Sequence, residues 1–372
     1  MTKTGKRLTI FLGLIVLVGA LYGIYWFLYA RFYVTVTDAY VAGNQNSITS
    51  QVSGTIKELN MEDTQVVKEG DIVAVIDDSD YKIALAEAEA NLAGVVREYE
   101  TLLYAVVEAE KVVDSEKSNY NTIKITNERD QRAYANGLIS EQELDDSNNN
   151  LMVANANLAK AYASLESAKT KVGRTNLYSY PQFLMAVEKY NMAYLNLLRT
   201  KVYSPISGVL AKKSAYIGQQ IEQNQELVSV VDLEGIWVTA NIKETSMNGI
   251  EIGTKVSLSS DYNGKIYEGY VQGISAGSGS ALSLLPAQNA TGNWVKIVQR
   301  VPVRIFIKKE SIEKNGAIPI GTSIVATIDL REKTDKVESF EIKNSNLYFL
   351  EKTEINKKIK QIVDDNLFRK EE

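Results

Sequence analysis

Histidine and cysteine are absent from the 372 residues, and tryptophan and proline occur only three and five times. The first two absences remove a large share of bond chemistry. No Ser-His-Asp or Cys-His nucleophile can be assembled. Zinc sites of His and thiolate, haem on a His or Cys ligand, and chain-held iron–sulfur clusters are excluded as well. Disulfides are impossible, so cysteine carries no message about compartment. Carboxylate-only sites, lysine chemistry and Mg²⁺ or Ca²⁺ sites stay open. Acidic pairs such as Asp77/Asp78 and Asp145/Asp146 stand at segment ends, where capping and solubility account for them. With 45% hydrophobic and 23% charged residues, the composition is that of a folded protein, neither a disordered tail nor a many-pass membrane protein. A net charge of −5, with no Lys/Arg stripe interleaved with aromatics, argues against nucleic acid.

What is present begins with an uncharged apolar run, Leu8 to Ala30, preceded by Lys3, Lys6 and Arg7. About 20 residues cross the hydrocarbon core as a helix, and the basic flank predicts a cytoplasmic N-terminus over 1–7. Tyr22, Tyr25, Trp26, Tyr29, Phe32 and Tyr33 crowd the far end as an interfacial belt does. A cleaved signal peptide is the other reading. Against it, the run exceeds the usual apolar region of about 7–15 residues, and no small-x-small site follows. An uncleaved anchor over 8–30 is expected, then a linker and first strand over 31–50, with the bulk of the chain on the far side.

Proline is also missing from everything before Pro181, and between Asp77 and Lys201 glycine falls to Gly94, Gly137 and Gly173. Steps of three and four residues there pass through Leu85, Ala88, Leu92, Val95, Tyr99, Leu102, Val106, Ala109, Val113, Glu116, Tyr120 and Ile123. Only Glu116 interrupts this heptad line, and about 45 such residues make a rod of about 70 Å. After a polar stretch with Gly137, Ser140-x-x-Glu143 has the spacing of a capping box. A second line follows: Leu144, Ser147, Leu151, Ala154, Leu158, Ala161, Leu165, Ala168 and Val172. Its small residues can receive the larger ones of the first line. Two matched rods joined at a tip near 127–143 are expected, an antiparallel coiled-coil hairpin over 78–201. Pro181 suits the first position of a further helix through Phe183, Ala186, Tyr190, Ala193 and Leu197. A compact helical bundle is the alternative, but it needs more turns than this stretch supplies.

The hairpin is flanked by two similar segments, 51–77 and 202–234. An offset of 154 aligns Gly54 with Gly208, Val67 with Ile221 and Val73 with Leu227. Both read as strand, turn, strand, polar turn, β-branched strand. Neither half has the apolar surface to stand alone, so the two are expected to pair. Residues 235–330 carry further strand-like runs (IWVTANI, KVSLSS, KIYEGYVQGI, WVKIVQRVPVRIFI, SIVATIDL), the pattern of a small β-barrel. Gly277-Ser278-Gly279-Ser280 lacks the Lys-Ser/Thr of a phosphate loop and reads as a barrel loop. Over 331–372 the chain is highly charged, with Ile355, Ile359, Ile362, Val363 and Leu367 at helical spacing. Two readings stay open there: a short amphipathic helix against the membrane-proximal part, and a solvated tail.

Split lipoyl-like halves around a coiled-coil hairpin, behind one N-terminal anchor, resemble the HlyD-type membrane fusion proteins, also called periplasmic adaptor proteins. Thr37–Ile56 resembles the entry to that fold. Ile236–Val256 and the long irregular segment Gly277–Ile305 (GSGSALSLLPAQNATGNWVKIVQRVPVRI) resemble the EmrA-like branch, which serves major-facilitator drug exporters. The resemblance implies a multidomain α+β fold: a transmembrane helix, a split lipoyl-like barrel-sandwich domain with an inserted antiparallel α-hairpin, then a small β-barrel. It implies a non-enzymatic, cofactor-free inner-membrane subunit, single-pass, with its bulk in the periplasm. Its implied partners are an EmrB-like transporter, a TolC-like outer-membrane channel, and copies of itself in a ring, a trimer or a hexamer. The lipoyl-like domain would be a ring-former, since no Met-Lys-Met or Asp-Lys-Ala marks a swinging arm.

Many family members carry Arg, then Leu four residues on, then Ser seven further, at the tip that meets the channel. Those places are Arg129, Ala133 and Ser140, with Ala standing where the pattern has Leu. Gly137, Leu138 and Ile139 lie between and can supply the missing apolar contact. Ser140 is also a helix cap, and the two roles are compatible. In the barrel loop, Ser283, Leu284, Leu285, Gln288, Asn289, Asn293 and Trp294 have two readings: an ordinary packed loop, or a surface facing the pore, a neighbouring subunit or a drug. Adaptors of ABC-type protein or peptide secretion, and membrane-anchored coiled-coil scaffolds, are the alternatives to drug efflux. A carboxylate-based hydrolase is the most distant of them.

Overall fold

The computed structural model describes residues 3–173, 176–233, 235–282, 297–335, 337–338 and 352–367. Helix α1 (Lys3–Leu28) is followed by strands β1 (Tyr33–Val36), β2 (Ala39–Ala42), β3 (Gln45–Thr49), β4 (Gly54–Leu59), β5 (Val66–Val67) and β6 (Ile72–Ile76). Helices α2 (Ser79–Ala135), α3 (Glu141–Val172) and α4 (Pro181–Leu198) come next. Strands β7 (Lys201–Tyr203), β8 (Gly208–Lys213), β9 (Gln220–Ile221) and β10 (Glu226–Val231) mirror the earlier set. The chain ends with β11 (Trp237–Lys243), β12 (Thr254–Ser260), β13 (Ile266–Ile274), β14 (Arg300–Ile307), α5 (Lys309–Asn315), β15 (Ile324–Lys333) and α6 (Lys352–Asn366). Two compact units result, one of 1–74 with 202–347, the other of 75–201 with 348–372.

In the first unit, Phe11–Phe32 is long and apolar enough to cross a membrane, and none of it is buried in the protein. The two similar segments form a pair of four-stranded sheets, ordered β3-β10-β8-β5 and β7-β6-β4-β9. Each sheet takes strands from both halves, and the offset of 154 converts one sheet into the other. Gly54 faces Ile221 across β4 and β9, while Gly208 faces Val67 across β8 and β5. Reciprocity extends to single hydrogen bonds. Thr64 N–H donates to Leu210 O at 2.9 Å, and Gly218 N–H donates to Ile56 O at 2.8 Å. Gly70 N–H bonds Ser204 O at 2.9 Å, and Asn224 N–H bonds Ser50 O at 2.7 Å. The aligned apolar residues Val67 and Ile221, and Val73 and Leu227, are all buried. Neither half closes its own ladders, which is why the two interlock.

The barrel of this unit is a seven-stranded sheet ordered β1-β15-β12-β13-β14-β11-β2. Its edges approach where Tyr40 bridges Ser323 and Val41 N–H donates to Thr322 O at 3.0 Å. Alternation is strict in β12, whose Thr254, Val256, Leu258 and Ser260 point inward. Val238, Ala240, Ile242, Ile305, Ile324, Ala326 and Ile328 fill the interior. Here the structure departs from the reading of 31–50 as a linker and first strand. That stretch supplies three strands, and β1 and β2 belong to the barrel rather than to the split repeat. The reason is that Val36, Ala39 and Val41 are needed to complete the barrel core. At its other end the last barrel strand runs to Lys333, a little past 330.

The second unit is helical. Helix α2 has 57 residues, about 85 Å at 1.5 Å per residue, whereas α3 has 32 and α4 has 18. The expected antiparallel hairpin forms, with one continuous outgoing helix and a return divided into the two shorter ones. Gly173 ends α3, and Pro181 starts α4, whose first turn needs no amide donor there.

Candidate functional site

The hairpin is built by the two heptad lines. Every residue on the first, from Leu85 to Ile123, is buried or half-buried, and so is every residue on the second, from Leu144 to Val172. Val113 of α2 packs with Ala161 and Leu165 of α3. Glu116 lies on the line with one carboxylate oxygen buried and unbonded. The same step continues past Ile123 to Asn127, which is 1% exposed. Its amide donates to Ser147 Oγ at 3.2 Å and Asn148 Oδ1 at 2.9 Å, while its oxygen accepts from Gln131 at 2.9 Å. Ser147 Oγ in turn donates to Asp130 at 2.7 Å. A polar layer thus replaces the apolar one nearest the tip. Such a layer fixes which residues face each other.

The tip is two helix caps back to back. Gly137 takes φ +71°, its N–H donates to Tyr134 O at 2.9 Å, and Leu138 N–H donates to Ala133 O at 2.9 Å. These are the two bonds of a Schellman ending, which favours glycine at the left-handed position. Ser140 opens α3 with a complete capping box: Glu143 N–H donates to Ser140 Oγ at 3.3 Å, and Ser140 N–H donates to Glu143 Oε2 at 2.8 Å. Those bonds, the backbone one first, hold the Glu143 carboxyl below its ordinary range. Between the caps Leu138 stands 75% exposed, an apolar side chain at the end of the rod. Arg129 is exposed and Ala133 half-buried, four residues apart on one face of α2.

At the other end the heptad line of α2, widened by Val96 beside it, meets two further helices. Leu92, Val96 and Tyr99 pack with Phe183, Ala186 and Tyr190 of α4 and with Ile355, Ile359, Ile362 and Val363 of α6. Arg97 Nη1 donates to Asn366 Oδ1 at 2.9 Å. Of the C-terminal stretch, residues 352–366 form a helix rather than a solvated tail, and its apolar stripe packs with α2 and α4. Spacing made α6 visible in the sequence, but not its seat. The barrel-loop residues Ser283, Leu284, Leu285, Gln288, Asn289, Asn293 and Trp294 lie outside the described residues.

Two family profiles match these parts: "EMRA, alpha-helical hairpin domain" over residues 79–200, and "AAEA-like beta-barrel domain" over 235–329. "Probable multidrug resistance protein EmrK" of Escherichia coli (strain K12) is 35% identical over 352 residues, covering 92% of this chain and 91% of that protein. "Multidrug export protein EmrA" of the same organism is 35% identical over 358 residues, covering 92% and 90%. Among solved structures, "Structure of the periplasmic adaptor protein EmrA" aligns with 82% of this chain and 99% of that one, at 19% identity and a TM-score of 0.42. With relatives this similar along nine-tenths of their own length, the chain belongs to the EmrA-like branch of the membrane fusion (periplasmic adaptor) protein family.

Proposed function

We propose that this chain is the periplasmic adaptor of a drug-efflux assembly. It joins an EmrB-like major-facilitator exporter in the inner membrane to a TolC-like channel in the outer membrane. One observation carries the reading: a 57-residue helix, folded back as a hairpin, is inserted between two interlocked half-repeats. It occurs in a chain whose relatives are named for multidrug export and resistance. In this reading α1 crosses the inner membrane with its N-terminus cytoplasmic. The lipoyl-like halves pack against those of other copies into a ring, and the hairpins extend the conduit. The role is mechanical and non-enzymatic; any proton coupling belongs to the exporter.

The tip is the proposed channel contact. Leu138 offers exposed apolar surface, and Arg129, Ala133, Gly137 and Ser140 surround or hold it. The barrel loop with Ser283 and Trp294 is proposed to face the pore or a neighbouring copy. Two experiments test the whole. Deleting residues 82–200 is expected to abolish drug tolerance while co-purification with the exporter persists. Leu138→Asp and Arg129→Asp are expected to lose tolerance with the hairpin's melting temperature unchanged. Normal tolerance in the deletion strain would sink the efflux reading, and normal tolerance in both point variants would remove the tip contact.

A further inference from the structure

The apolar span and the barrel are joined without a linker. Phe32 ends the span, Tyr33 begins β1, and Val36 already lies in the barrel core. Four strand residues cover about 13 Å. With α1 across the bilayer, as proposed above, the barrel rim formed by β1 and β15 therefore lies at headgroup depth.

The charges at that rim are not alike. Arg331 forks onto Asp329, Nε to Oδ1 at 3.1 Å and Nη2 to Oδ2 at 3.0 Å, and also donates to the Tyr33 hydroxyl. Its guanidinium carbon lies 4.9 Å from the Tyr33 ring centre and 5.6 Å from those of Tyr29 and Phe32. Lys255 pairs with Glu332, and Lys333 with Glu251, each at 2.7 Å. Those cations are balanced by carboxylates. Arg31 is exposed and has no carboxylate partner among the described residues. Its guanidinium carbon lies 4.1 Å over the Phe27 ring and 4.5 Å over Phe32. Two aromatic faces hold it in place without neutralising it. A planar guanidinium so held matches a phosphate diester with two parallel donors.

We propose that Arg31, seated on Phe27 and Phe32, binds the phosphate of an anionic phospholipid in the leaflet facing the barrel and so docks the β1/β15 rim on the membrane. The inference rests on the reading of α1 as a membrane span. The Arg331–Asp329–Tyr33 cluster keeps the rim's own charges paired, leaving Arg31 as the cation that the lipid completes.

The test uses the full chain in nanodiscs of phosphatidylcholine alone or with phosphatidylglycerol. Native mass spectrometry counts retained lipid, and hydrogen exchange follows residues 33–36 and 324–331. Wild type is expected to retain phosphatidylglycerol and to show slower exchange at both segments in its presence. Arg31→Gln is expected to retain about fivefold less, the contribution of one basic residue at an anionic surface, and to lose the lipid-dependent protection. Arg31→Lys, which keeps the charge without the planar fork, should fall between them. Equal retention and equal exchange in wild type and Arg31→Gln overturn the proposal. Carbonate extraction is read alongside: release of the wild-type chain from membranes overturns the span and the docking together. Resistance to extraction with equal lipid retention overturns the docking alone.

Discussion

Thr64 and Gly218 occupy the same turn of the two half-repeats, 154 residues apart, and both adopt left-handed backbone, φ +71° and +80°. Each donates its N–H across to the other half. Glycine holds this conformation without steric cost, whereas a β-branched residue does not. Gly70 (φ +88°) and Asn224 (φ +67°) repeat the relationship one turn on, with the tolerant residue types exchanged between halves. The left-handed costs in the two halves differ accordingly, and Thr64 bears the larger.

Replacing Thr64 with Gly is therefore expected to stabilise the split β body, by about 0.5–1 kcal/mol after the entropic cost of glycine. Gly218→Thr should cost about 1–2 kcal/mol, because a Cβ at Gly218 would meet nothing within 4 Å and only the backbone conformation is strained. Thermal unfolding of the two variants checks the opposite signs.

Two polar residues on the coiled-coil line predict opposite outcomes. Glu116→Leu removes an unbonded buried carboxylate oxygen and restores the heptad, so the helical transition should rise by about 1 kcal/mol. Asn127→Ala strands the partners of a bonded layer and should cost about 1–3 kcal/mol. Replacing Asn127 by Leu and Ser147 by Ala together should keep stability but loosen register. Because the chain has no cysteine, a single introduced Cys pair across α2 and α3 reports register directly: out-of-register crosslinks are expected only in the double variant.

Removing Ile355 from its seat tests α6. This side chain is 2% exposed within the bundle, and Ile355→Ala is expected to cost about 2–4 kcal/mol there. Hydrogen exchange should quicken across residues 92–99 and 183–190 while the tip is unaffected. Unchanged exchange at the bundle would mean that α6 contributes nothing to it.

At the tip, Ser140→Ala should destabilise the α3 start by about 1 kcal/mol. Glu143 adds a pH dependence. Its carboxyl is held below the ordinary 4.5 by the Ser140 N–H and then by the hydroxyl. The contribution is thus complete above that ordinary value and disappears as pH falls through the lowered folded one. Hairpin helicity followed by circular dichroism on acidification should show this loss in wild type, and Glu143→Gln should remove that part of the pH dependence.

Much of this architecture is legible from spacing because both repeats are local in kind even where they are distant in chain. The 3.5-residue period names the α2–α3 seam, and the constant offset names equivalent positions such as Gly54 and Gly208, which take reciprocal partners, Ile221 and Val67. What escapes is any choice among equivalent partners. Leu92 and Tyr99 lie on the heptad line and Val96 beside it, and nothing in their spacing says that α4 and α6 pack there. Val36, Ala39 and Val41 read as a strand entry, and only the closed barrel shows why they leave the adjacent repeat. Among the candidate contacts, Leu138 lies between the family positions Ala133 and Ser140, and it is placed by two caps legible in the sequence at Gly137 and at Ser140-x-x-Glu143.

The barrel's seam has a consequence for the order of assembly. Strands β1 and β2 are the first strands of the chain, yet their neighbours β15 and β11 are made much later, after the whole hairpin. During synthesis, β2 waits through about 200 residues of chain for its partner and β1 through nearly 300. A chain stopped before Ile324 keeps its hairpin residues but has no strand to cover β1. Completion of β15, when about nine-tenths of the chain has been made, is thus the step that covers β1 and completes the barrel sheet, so an early stop there leaves the sheet open.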